Sequence, residues 1–223
     1  CINFSVLEVR STASQPRGLS AVAYAEWVLG DLPSRTRMHV VTGVYSHTGS
    51  LFARNLYNDE FRGMTSFLDS DDPGRTVSGD RREFLGRNGT MADPAGLQRA
   101  NLPGRVGPAL DPCGAVPVRF GLAPGQERQI IFRIGGGRGV EDARRMVKYF
   151  RGASQARESL EKTGKFWGKT LGTVQVETPD PAFNAMANGW LLYQSLSCRF
   201  WGRNALYQSG GAYGYRDQLQ DSM

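Results

Sequence analysis

With 223 residues, 40% of them hydrophobic, the chain has room for one large domain or two small ones. Its formal net charge of +6 comes from 27 Lys and Arg against 21 Asp and Glu, spread along the whole length. Scattered cations without an aromatic-rich cluster argue against a nucleic-acid partner, while small anions such as phosphate stay compatible.

Cys1, Cys113 and Cys198 are far apart and odd in number, which gives no disulfide framework and fits a reducing, cytoplasmic compartment. Neither His39 nor His47 shares a ligand spacing with them, so no metal is expected. The apolar runs are too short to span a bilayer. Cys1 is not an initiator methionine and no charged-then-apolar leader follows it, so the chain reads as a piece cut at both ends.

Up to about residue 134 the patterning has period two. Ala23, Ala25, Trp27 and Leu29 share one face of a strand over 22–29. Val116, Val118, Phe120 and Leu122 alternate with Pro117, Arg119 and Gly121; Ile130, Phe132 and Ile134 alternate with Ile131 and Arg133. Turn signals at Asp72-Pro73-Gly74, Asn88-Gly89 and Ala123-Pro124-Gly125 punctuate these runs, which predicts an antiparallel β-sandwich over 1–137. Asn88-Gly89-Thr90 also has the form of a glycosylation acceptor, but a turn is the simpler reading.

Gly135-Gly136-Gly137-Arg138-Gly139 follows a strand and precedes a helix, as a phosphate loop would. Val140 breaks the G-x-G-x-x-G spacing, and an inter-domain hinge is expected instead. A helical linker over 138–172 comes next. Val140, Ala143, Val147 and Phe150 recur on one helix face. A second helix, from about Ser154 to Lys169, turns Ala156, Leu160, Thr163 and Trp167 inward and sets Glu158–Lys162 and Glu161–Lys165 at the favourable i,i+4 spacing.

The third region, 173–223, opens with a predicted strand, Thr173–Thr178. A helix follows with Asp180 as N-cap and Pro181 in its first turn. Phe183, Met186, Ala187, Trp190, Leu191 and Gln194 form its stripe. Trp190, Tyr193 and Gln194 could line a sugar groove, although helical spacing favours core packing. From Tyr207 to Asp221 the text changes again, to three tyrosines and three glycines followed by Arg216, Asp217, Gln218, Gln220 and Asp221. Glycines permit close backbone approach, tyrosines give flat amphipathic walls, and a fixed Arg-Asp pair grips hydroxyls, a mix suited to a sugar. On a helix starting near Asp217, Asp221 lies one turn along on the same face.

Seven segments in order resemble glycoside hydrolase family 94, the inverting glycoside phosphorylases. They are residues 24–30 (Y-A-E-W-V-L-G), 53–61 (A-R-N-L-Y-N-D-E-F), 83–89 (E-F-L-G-R-N-G), 107–113 (G-P-A-L-D-P-C), 178–181 (T-P-D-P), 188–194 (N-G-W-L-L-Y-Q) and the closing 207–221. Their wording is most similar to the branch forming the phosphorylase-like C-terminal region of cyclic β-1,2-glucan synthases. The resemblance implies an α+β multidomain protein: an antiparallel β-sandwich, a helical linker, and the first helices of a truncated (α/α)6 barrel. It also implies β-glucan oligosaccharide and phosphate as reactants, no cofactor, and a parent that could carry a membrane glycosyltransferase or form a homodimer. An inverting glycosidase needs two carboxylates, whereas phosphate is already nucleophilic and needs only one acid opposite it. By the resemblance that acid lies beyond Met223, so no catalytic residue is assigned and the chain alone is expected to be inactive. Asp217 takes the place of the family's sugar-binding aspartate, oriented by Arg216, with Gln218 and Asp221 as further substrate-binding candidates. Where the cellobiose branch has an arginine six residues earlier, this chain has Gly211. A non-catalytic carbohydrate-binding sandwich is the competing expectation.

Overall fold

The computed structural model describes residues 1–30, 32–57 and 62–197. The chain forms two compact units, residues 1–156 and 157–223. Among the described residues the first unit holds eight strands: β1 (Ile2–Arg10), β2 (Arg17–Glu26), β3 (Val40–Val44), β4 (Leu51–Asn55), β5 (Thr65–Ser70), β6 (Ser78–Asp80), β7 (Pro112–Leu122) and β8 (Glu127–Gly137). Short helices α1 (Pro33–Thr36) and α2 (Arg81–Phe84) interrupt them, and α3 (Val140–Tyr149) follows. Every pairing is antiparallel, in a five-stranded sheet ordered β1-β8-β5-β4-β3 and a three-stranded sheet ordered β2-β7-β6.

The predicted sandwich is present. Val116, Val118, Phe120 and Leu122 of β7 and Ala21 of β2 meet Val40, Ala53, Leu68, Ile130 and Phe132 of the opposite sheet in one core, which Trp27 joins. On the other side of β7, Cys113, Ala115 and Pro117 are buried, while Arg119 and Gly121 further along are exposed. Phe84 and Leu85, with Leu102, Cys113 and Ala115, form a second core on the far side of β7. Burying side chains the size of Phe84 and Leu85 contributes roughly 1.5–3 kcal/mol each, enough to hold this α2-bearing layer in place.

The far face of the five-stranded sheet is roofed by α3, whose Ala143 and Val147 pack on Phe67. The glycine run belongs to this contact and is not a hinge. Gly135 to Gly137 lie inside β8, all three paired with β5 and Gly135 with β1 as well. A Cβ at Gly135 would fall 2.6 Å from the Phe67 ring, and one at Gly137 2.6 Å from the Ala143 nitrogen, so bare backbone is what lets α3 settle on the sheet. Asp142 then receives the Arg138 amide at 2.9 Å, closing the helix start.

Beneath α3 sits Arg133, wholly buried. Its Nη2 lies 2.7 Å from Asp69 Oδ2, and its Nη1 donates to the Val147 and Phe150 carbonyls at 2.8 and 2.7 Å. A guanidinium here meets the last, otherwise unbonded carbonyls of a helix, where positive charge is favoured. Asp71 Oδ1 is also 2.7 Å from Nη2, but at an angle that makes a charge contact and not a hydrogen bond. The other Asp71 oxygen accepts Gly152 N at 2.7 Å, where the chain turns toward α4 (Ala153–Leu171). Burial lowers the Arg133 pKa, while Asp69 and Asp71 act to raise it.

Along α4 the predicted inward stripe holds only in part. Ala156 is buried and Trp167 half-buried, but Leu160 is 73% exposed and Thr163 is exposed. An amphipathic stripe is buried only where other residues cover it, and among the described residues nothing covers these two. The Glu158–Lys162 pair closes at 2.6 Å as its spacing predicts.

Candidate functional site

In the second unit, the helical run from Pro181 is set by its cap. Asp180 Oδ1 accepts the Ala182 and Phe183 amides at 2.8 and 3.3 Å, and Pro181 occupies the first turn. α5 (Pro181–Ala185) passes through a wider π-helical turn, Met186–Trp190, into α6 (Leu191–Gln194). Such single wide turns inside a helix are uncommon, and this one contains Gly189.

The predicted strand Thr173–Thr178 is not one. Its backbone pairs with two asparagine side chains. Asn188 accepts Val176 N at 2.7 Å and donates to Val176 O at 2.8 Å. Asn184 does the same to Thr178, at 2.9 Å each way. Two residues of extended chain span about 6.6 Å and four of helix about 6 Å, so one carboxamide per turn meets every second residue of the segment. The segment is extended as a strand would be, but its partner is a helix face.

Aromatic side chains gather on the described part of this unit. Trp167 and Tyr193 ring centroids are 4.9 Å apart, and Trp190 lies 6.1 Å from Tyr193. The stripe expected to be core is instead open: Phe183, Met186, Trp190, Leu191 and Tyr193 are exposed, Trp190 by 53%. Gln194 is exposed too. Flat, amphipathic rings of this kind can stack on sugar faces.

The predicted substrate-binding residues Arg216, Asp217, Gln218 and Asp221, and Gly211 with them, lie outside the described residues. Among the described residues no three His, Cys, Asp or Glu side chains gather to hold a metal ion, and no helix is long and apolar enough to cross a membrane.

Four of the quoted sequence segments converge on one end of the sandwich, and there they act as joinery. The Tyr24 hydroxyl donates to Glu26 at 3.0 Å, and Arg81 Nε reaches Glu26 at 3.1 Å. Arg81 also lies 3.8 Å from Asp111, which Arg37 bonds from the other side. Asn55 Nδ2 donates to the Leu29 carbonyl at 3.0 Å, and Glu83 accepts the Arg105 amide at 2.9 Å. The bond to Glu26 raises the Arg81 pKa. Cys113, next to this network, is wholly buried, and desolvation pushes its thiol pKa up, so it stays protonated and inert. Partly exposed ion pairs add little stability each, but several together fix where α2 and the loop before β7 sit. Arg87 and Asn88 are exposed in the turn after α2.

An antiparallel sandwich with a covering layer on each outer face, followed by capped, aromatic-bearing helices, is a supersandwich domain leading into a helical one. Residues 2–153 match the glycosyl hydrolase 94 supersandwich domain, and residues 166–223 match the catalytic domain of the glycosyl hydrolase 94 superfamily. The chain belongs to glycosyl hydrolase family 94. It is 39% identical over 218 residues to the cyclic beta-(1,2)-glucan synthase NdvB of Rhizobium meliloti (strain 1021), covering 97% of this chain and 8% of that protein. It is 28% identical to the N,N'-diacetylchitobiose phosphorylase of Vibrio furnissii, over 97% of this chain and 28% of the relative. A 3-O-beta-D-glucopyranosyl-beta-D-glucuronide phosphorylase from Paenibacillus borealis is 29% identical over 69% of this chain and 19% of its own length. The chain thus spans between 8% and 28% of the length of these relatives.

Proposed function

We propose that this chain is part of an inverting glycoside phosphorylase acting on β-linked glucans, with inorganic phosphate as co-substrate, no cofactor, and α-glucose 1-phosphate as product. The linkage is β-1,2, and the protein to which the chain belongs takes part in cyclic β-1,2-glucan synthesis. The observation that carries this reading is the 39% identity to a cyclic glucan synthase, which runs across both family-matched regions. The phosphorylases among the relatives support sugar and phosphate as reactants.

On this reading the helices from Pro181 open an (α/α)6 barrel, and Asp217 grips hydroxyls of the transferred glucosyl unit. Arg216 orients it by a charge-assisted bond, and Gln218 and Asp221 extend the same wall. No residue of this chain is the general acid, and the polypeptide alone does not turn over. We place the reaction in the cytoplasm, in a protein anchored to the inner membrane through a separate glycosyltransferase part or paired as a homodimer.

The test uses the full-length protein and sophorose-type and cellobiose-type disaccharides with phosphate, reading glucose 1-phosphate. Preference for the β-1,2 substrate is expected. Asp217→Ala should lower kcat/KM by about 10²-fold or more, the scale of losing hydrogen bonds to a charged group. Unchanged turnover in that variant removes Asp217 from the site, and absence of phosphorolysis with either sugar overturns the proposal.

A further inference from the structure

The sequence holds two Asn-Gly dipeptides, Asn88-Gly89 and Asn188-Gly189, and the fold treats them oppositely. Asn88 is exposed in the turn after α2, and among the described residues nothing bonds its carboxamide. The amide of Gly89 is held only by a long contact to the Gly86 carbonyl, at 3.4 Å. Asn188 sits inside the helical run, with oxygen and nitrogen of its carboxamide both committed to Val176.

We propose that Asn88 is a site of spontaneous deamidation and that the fold exempts Asn188. The Gly89 amide nitrogen, having lost its proton to hydroxide, attacks Asn88 Cγ. The N–Cγ bond forms, the Cγ–Nδ2 bond breaks, and ammonia leaves with a proton from water. Water then opens the cyclic imide at either carbonyl, giving aspartate or isoaspartate. At Asn188 both carboxamide bonds must break before Cγ can be reached. Helical backbone around Asn188 also holds Gly189 N away from that carbon.

The turn fixes the liability in place. A Cβ at Gly89 would fall 1.8 Å from the Leu85 carbonyl oxygen, so no larger residue fits where glycine leaves Asn88 open to attack. Leu85 itself is buried in the second core and cannot yield.

The experiment incubates the chain in mildly alkaline buffer, folded and in denaturant, and quantifies isoaspartate at each dipeptide by peptide mapping. In the folded chain, conversion at Asn88 should exceed that at Asn188 by about tenfold or more, the factor for releasing two hydrogen bonds. In denaturant the two rates should converge. Equal rates in the folded chain, faster conversion at Asn188, or an undiminished difference in denaturant each overturn the proposal. As a second readout, Asn88→Ser should abolish the acidic charge variant that accumulates on ion exchange; its persistence counts against Asn88.

Discussion

Asp69 and Arg133 stand directly opposite each other on β5 and β8, both wholly buried, with 2.7 Å between Oδ2 and Nη2. The same carboxylate takes Arg75 Nε at 2.7 Å, so Asp69 serves two arginines while Arg133 serves the end of α3. Removing Arg133 leaves Asp69 with Arg75 alone, Asp71 with Arg151, and the α3 carbonyls without their donor; losing one partner of a buried ionic set costs about 3–5 kcal/mol. Arg133→Met should therefore destabilise the sandwich by that amount in urea titrations. Asp69→Asn in the same chain should restore part of it, and strictly additive losses would show the pair to be uncoupled.

Asp142 gives a pH signature. Its pKa is lowered, chiefly by the Arg138 amide and then by Arg145. A carboxylate depressed in the folded state stabilises it above the unfolded value of about 3.9, and that contribution is lost as pH falls through the folded value. The Tm of the native chain should drop more steeply below about pH 4 than that of Asp142→Asn, which keeps an acceptor but does not titrate. Parallel profiles would remove Asp142 from the acid response.

Much of the sandwich was legible because alternation is read directly from a strand, and β7 and β8 carry it plainly. What lay opposite each face was not legible. Arg133 could have faced water; α3 lies across the sheet above it and takes its hydrogen bonds, and that placement rests on Gly135 and Gly137 being bare. The signal for Arg133 was present as two aspartates, Asp69 and Asp71, at and just past the end of β5, but pairing them needs the β5–β8 register. For the sugar wall the limit differs. Arg216 and Asp217 were picked out by composition and by family resemblance, and neither gives a geometry.

Cysteine reactivity separates the two cores from solvent. Cys1 is exposed and Cys113 buried with a raised pKa. Brief alkylation of the native chain should label Cys1 and spare Cys113, with Cys113 modified only in denaturant. Labelling of Cys113 at a rate like that of Cys1 would mean that the α2-bearing layer opens readily.

The asparagine ladder is open to the same kind of test. Asn188→Ala and Asn184→Ala each remove two backbone hydrogen bonds, and the second also removes one from the Thr178 hydroxyl. Hydrogen exchange at Val176 should accelerate in the first variant and at Thr178 in the second, by roughly tenfold or more. Unaltered protection at both amides would show the segment to be held by something else.

β7 is covered on both sides from Pro112 to Val118, by the sheet opposite and by the α2-bearing layer. It is a party wall: neither room can be emptied without exposing the strand to the other. Loosening that starts in the α2-bearing layer is therefore transmitted to the whole sandwich, and the two should melt in a single step.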